Sequence, residues 1–121
     1  AEGCSAAMDR VKCPSGELRW RVLSPDDAAV EVREGMARAA LEQVGVVTGM
    51  RCTGRSMLGD VNCRALAATL EGGRRLDLVV AVVTRDGDAP MLLECWSPTP
   101  LKAGVPAPCL GVMDITVADG R

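Results

Sequence analysis

Leu76-Asp77-Leu78-Val79-Val80-Ala81-Val82-Val83-Thr84-Arg85-Asp86-Gly87-Asp88-Ala89-Pro90-Met91-Leu92-Leu93-Glu94-Cys95-Trp96-Ser97 is the stretch on which the fold turns. Leu76 to Thr84 is apolar and rich in β-branched residues, Asp86-Gly87 is a turn dipeptide whose glycine tolerates positive φ, and Met91 to Trp96 resumes the apolar run. The pattern predicts two strands joined by a tight turn. A strand as apolar as the first must be covered on at least one face, so the rest of the chain has to supply a cover.

A chain of 121 residues builds one core, and residues 1–121 read as a single domain. The apolar fraction is 48%, yet Phe and Tyr are absent and the only aromatics are Trp20 and Trp96. Val, Leu, Ala and Met must make the core. Each buries little area at roughly 25 cal/mol per Å², so the interior is thin for its length and needs a second source of stability.

Sulfur is the expected source. Cys4, Cys13, Cys52, Cys63, Cys95 and Cys109 form an even set in a chain without histidine. No two cysteines stand at the two-to-four-residue spacing of zinc sites and no imidazole is present, so a disulfide framework is expected and neither metal nor cofactor. The spacing does not choose among the possible pairings. Cys4 with Cys13 is the local one, Cys52 and Cys63 flank a turn, and Cys95 and Cys109 bracket a proline-rich segment. Disulfides place the chain in the periplasm or outside the cell. Ala1 at the first position fits a cleaved signal peptide, and the even cysteine count argues against a lipid on Cys4. No run reaches the about 20 apolar residues of a spanning helix, so membrane insertion is not expected.

The 14 basic residues are balanced by 16 acidic ones, for a formal net charge of −2. They are dispersed along the chain, without the basic cluster or stacking aromatics that nucleic acid binding requires.

Read in order, residues 1–16 form a terminus tied down through cysteine. Glu17 to Leu23 alternates as a half-buried strand with Leu18, Trp20 and Val22 on one face, Trp20 serving as a core residue. Ser24-Pro25-Asp26-Asp27 carries helix-start signals, and the helix is expected from Pro25 to about Val44, stopping at Gly45. Its expected buried face is Ala29, Val32, Met36, Ala37, Ala40, Leu41 and Val44, with Asp27, Glu31, Glu34, Arg38 and Glu42 outward. Val46 to Thr53 is a strand and 54–60 a loop. Residues 61–70 alternate and precede Gly72-Gly73, which favours strand over a short helix capped by Asp60. Four prolines between Trp96 and Cys109 exclude helix and central strand there, and Leu110 to Val117 closes the chain as a last strand.

The fold class expected is therefore α+β: an antiparallel sheet of five or six strands, one long helix packed on one face, and disulfides. A strand, a long helix and a meander in this order resembles the layout of cystatin-like α+β domains. That likeness implies architecture and no activity.

Without histidine there is no Ser-His-Asp or Cys-His nucleophile, no phosphate-loop motif is present, and two tryptophans make a poor sugar-binding cleft. The chain reads as non-catalytic. Its most specific feature is the segment from Cys95 to Cys109. Prolines and a bridge would make it a stiff exposed loop with Leu101, Lys102 and Ala103 near the tip, able to bind without a large ordering cost. The same features also make a plain connection resistant to proteolysis. The expected function is binding of another protein, as a secreted inhibitor or immunity protein or as an accessory subunit of an envelope assembly. The alternative is a carrier for a small apolar ligand between helix and sheet, lined by Met36, Met50, Met57 and Met91.

Overall fold

The computed structural model of the chain describes residues 3–119. β1 (Ser5–Ala7), β2 (Arg10–Cys13) and β3 (Gly16–Val22) follow one another as an antiparallel meander. The helix α1 (Val30–Glu42) comes next, then β4 (Gly45–Arg55), β5 (Asp60–Leu70), β6 (Arg75–Thr84) and β7 (Met91–Ser97). A single-turn helix α2 (Ala107–Leu110) precedes the last strand, β8 (Asp114–Asp119). All eight strands lie in one antiparallel sheet, in the order β1-β2-β3-β7-β6-β5-β4-β8.

The quoted hairpin sits at the middle of that order, as β7 and β6, with Gly87 in the turn at φ 84°. Residues 77–83 of β6 are buried without interruption, so both faces are covered. The topology explains how. The connection from β3 to β4 and the connection from β7 to β8 both span the sheet, and their buried side chains belong to opposite faces. On one face, Leu23, Val30 and Leu41 join Leu66, Leu78, Val80, Val82 and Leu92. On the other, Leu101, Cys109 and Met113 join Leu18, Val79, Ala81, Leu93 and Cys95. Trp20 packs against the second of these clusters and Trp96 against the first, so the two aromatics serve different cores.

The expectation of an α+β domain with five or six strands and one long helix on a face is overturned: the chain is mostly sheet, and among the described residues the one helix longer than a turn has 13 residues. Two extra strands come from the cysteine-bound terminus. β1 and β2 carry no alternating apolar face and are held by backbone pairing and the Cys4–Cys13 bridge. The expected helix loses its first turns because the Ser24 hydroxyl donates to the Asp27 carboxylate at 3.0 Å rather than capping the helix backbone. Asp27 N–H bonds back to Ser24 O, closing a 3-10 turn over Pro25–Asp27, and Ala29 is extended. At the other end Gly45 is needed for close approach, since a Cβ there would overlap Thr69 O. The exclusion of helix from the proline segment is also corrected. α2 forms with Pro106 at its N-cap and Pro108 in its first turn, where a missing N–H costs nothing. β8 consequently starts at Asp114, and Leu110 lies in the helix.

Residues 61–70 are strand, as read. The cysteines pair as Cys4–Cys13, Cys52–Cys63 and Cys95–Cys109. The three bridges are consistent with an exported protein in an oxidising compartment. Among the described residues no helix is long and apolar enough to cross a membrane.

Candidate functional site

Leu101 is 2% exposed and points into the core, whereas Lys102 and Ala103 are exposed on the same 3-10 turn. The segment is pinned from beneath. Asp77, fully buried in β6, accepts the Leu101 N–H at 2.8 Å and takes a two-point contact from Arg75 at 2.8 and 3.0 Å. Its cross-strand partner Ser97, equally buried, donates to Thr99 O at 2.8 Å and accepts from Thr99 N–H at 3.2 Å. Cys95 and Cys109 close the same stretch covalently inside the core. The proline segment is therefore a lid over one face of the sheet, with Lys102 and Ala103 the part of the expected tip that reaches solvent.

The helix offers a different surface. Val30, Ala37 and Leu41 turn toward the sheet, with Glu34 and Arg38 half-buried beside them. The face expected to be buried is largely outside: Val32 is 58% and Met36 59% exposed, and Ala40 and Val44 are exposed as well. Two apolar stripes run along this helix, each at helical spacing. The stripe that docks is the one that lets Arg38 lie over Gly49 of β4, where a Cβ would stand 3.1 Å from its Nη2. Among the described residues the stripe Val32, Met36, Ala40 stays exposed, with Met36 Sδ 4.0 Å from Arg33 Nη1.

Beside that stripe lies a trough of about 230 Å³ between α1 and the strands β3 and β7. Leu92, Ala37 and Trp96 supply apolar wall, with Met36 and Ala40 at the helix side. Arg33 lines it too, but its guanidinium is engaged with the 3-10 turn: Nε donates to Asp27 O at 3.1 Å and Nη2 stands 3.7 Å from Asp27 Oδ1. Three polar groups here have no such engagement among the described residues. Trp96 Nε1 is buried with no acceptor, the half-buried Glu94 carboxylate has no cationic partner, and the Arg21 guanidinium makes no ion pair. Arg19, opposite Glu94 across the β3–β7 ladder, is instead paired with Glu17. A buried indole N–H without an acceptor is uncommon and costs about 1–3 kcal/mol.

The Asp9 carboxyl is held below its ordinary range by the hydrogen bond from Arg10, but this pair sits by the β1–β2 turn, away from the trough. Among the described residues no three of Asp, Glu or Cys are grouped so as to hold a metal ion. The four methionines of the carrier reading lie apart. Met50 and Met91 belong to the core under the proline lid, Met36 is on the outer helix face, and Met57 is fully exposed at the β4–β5 turn. A larger groove of about 460 Å³ opens at that turn. Sequence reading missed both Trp96 as a site residue and the outer stripe of α1. Only the doubled apolar periodicity of residues 30–44 signalled the latter.

No family model, curated protein or solved structure matches this chain.

Proposed function

We infer that this protein is an exported, non-catalytic binding domain that docks another protein on the outer face of α1 and in the trough beside it. The observation that carries the reading is the stripe Val32, Met36, Ala40, exposed beside a trough walled by Leu92, Ala37 and Trp96. Adjacent apolar side chains beside an unpaired carboxylate are what a segment of polypeptide satisfies, since its side chains supply apolar area and its amides a donor. Apolar anchors surrounded by charged groups are also how protein interfaces concentrate their energy. The absence of histidine leaves no triad-type nucleophile to argue for turnover.

The partner belongs in the same oxidising compartment, as a secreted enzyme held inactive or a neighbour in an envelope assembly. The test is a photo-crosslinking amino acid placed at Met36 in the cell that makes the protein, with the same group at Met8, fully exposed by the β1–β2 turn, as control. One discrete protein adduct from position 36 and none from position 8 is the expected result. Equal adducts from both, or none from 36, would overturn the reading.

A further inference from the structure

We propose that the Cys4–Cys13 bridge is a site of thiol–disulfide exchange, opened and reclosed by thiols while the rest of the fold stays intact. The three bridges lie in different surroundings. Cys95 and Cys109 are fully buried and Cys63 is 3% exposed; all three belong to the core under the proline lid, and Cys52 packs against it. Cys4 is half-buried, and Cys13, 8% exposed, belongs to neither apolar core. Cys13 instead lines a surface recess of about 330 Å³ together with Pro14 and Trp96. Exchange proceeds by attack of a thiolate on one sulfur and departure of the other as a thiolate, so access and the surroundings of the leaving sulfur both count. A thiol that reached Cys52 would expel the Cys63 thiolate into the apolar core, where charge is poorly solvated. One that attacks Cys4 expels the Cys13 thiolate outside both cores, at the wall of the recess.

The chain around this bridge can open without the rest. β1 is three exposed residues whose strand partner is β2 alone, and Gly3 ahead of it lies against Pro14, where a Cβ would stand 3.2 Å from Pro14 Cγ. The bridge closes the shortest loop, with a sequence separation of 9 against 11 and 14, so its loss returns the least chain entropy to the unfolded state. β2 is held independently, by its register with β3 from Arg10 to Cys13. Opening therefore releases β1 and leaves both cores closed. In the covalent step the incoming thiolate forms an S–S bond to Cys4 as the Cys4–Cys13 bond breaks, and Cys13 leaves as a thiolate. A second thiol then attacks the incoming sulfur and expels Cys4. The cystine gains two electrons and two protons, and the two donor thiols become a disulfide; the reverse reaction recloses the bridge. The donor is a dithiol protein or the pool of small thiols. Neither cysteine lines the trough beside α1, so this proposal does not rest on the docking reading.

The experiment exposes the native protein, at neutral pH and without denaturant, to graded dithiothreitol or reduced glutathione, traps free thiols with iodoacetamide and locates them by peptide mass. Cys4 and Cys13 are expected to be alkylated at least about tenfold faster than the other four cysteines. Amide exchange should speed up within residues 4–13 and stay unchanged in β5, β6 and β7, and removing the thiol should restore the bridge. Opening by dithiothreitol where glutathione has no effect assigns the bridge to a dithiol partner, and opening by both assigns it to small thiols. The double variant Cys4→Ser, Cys13→Ser should fold with wild-type amide protection in β5, β6 and β7. Release of all six thiols together, earlier release of Cys52 and Cys63, no release before global unfolding, or a double variant that does not fold would each overturn the proposal.

Discussion

The Asp77 carboxylate accepts the Leu101 N–H at 2.8 Å, and neither residue is more than 2% exposed. This bond ties the proline segment to the central strand of the sheet. Replacing Asp77 by alanine removes the acceptor for a buried N–H and one partner of Arg75, whose side chain is 36% exposed and can re-solvate. Asp77→Ala should therefore cost about 3 kcal/mol, at the lower end for a broken buried pair, and Asp77→Asn less because its amide oxygen can still accept. Urea unfolding gives the difference, and amide exchange at Leu101 should speed up in the alanine variant.

The rotation of α1 has its own test. Leu41 is in the core and Met36 is on the outer face. Leu41→Ala should destabilise by about 3 kcal/mol through the cavity it leaves, and Met36→Ala by no more than about 0.5 kcal/mol. Equal losses would mean that the stripe with Met36 is docked after all.

Reduction should lower the melting temperature sharply, because the aromatic-poor core leans on its bridges. Among single-bridge deletions, Cys95→Ala with Cys109→Ala opens a loop with a sequence separation of 14. It should cost about 3 kcal/mol on the chain-entropy account, and both sulfur positions are fully buried, so packing is lost as well. Thermal melts with and without reductant check the first statement, and urea unfolding of the double variant checks the second.

Lys102 separates the proline segment from α1 as the docking surface. With Leu101 turned into the core, Lys102→Ala should change partner affinity by less than about threefold. A loss of about 2 kcal/mol or more would return the recognition surface to the proline segment.

The central hairpin was readable because Leu76 to Thr84 obeys a local rule: continuous apolar β-branched sequence, then a turn dipeptide. The strand at residues 61–70 was readable for a similar reason, its alternation and the glycine pair after it. β1 and β2 were not, since Ser5 to Cys13 has no apolar alternation and its strands exist by pairing with β3 and by the Cys4–Cys13 bridge. The helix was legible as a helix but not in its length or its facing. Ser24 looks like a cap in sequence, and its hydroxyl went to Asp27 instead. Val30, Ala37, Leu41 and Val32, Met36, Ala40 are equally periodic, and which of them faces the sheet is decided by tertiary packing rather than by the helix itself. For the candidate site, composition leads to an expectation of binding and names no surface. The place did not follow, because an orphan donor such as Trp96 Nε1 exists only once strands and helix are assembled.

The most direct test of the docking claim is the affinity of the captured partner for the wild-type protein and for the double variant Val32→Asp, Met36→Asp. Both positions are more than half exposed, so the variant should fold, with a melting temperature near that of the wild type. The account predicts a loss of at least about a hundredfold, which corresponds to roughly 2.7 kcal/mol at an interface centre. Binding within about threefold of the wild type, in a variant shown to be folded, would contradict it.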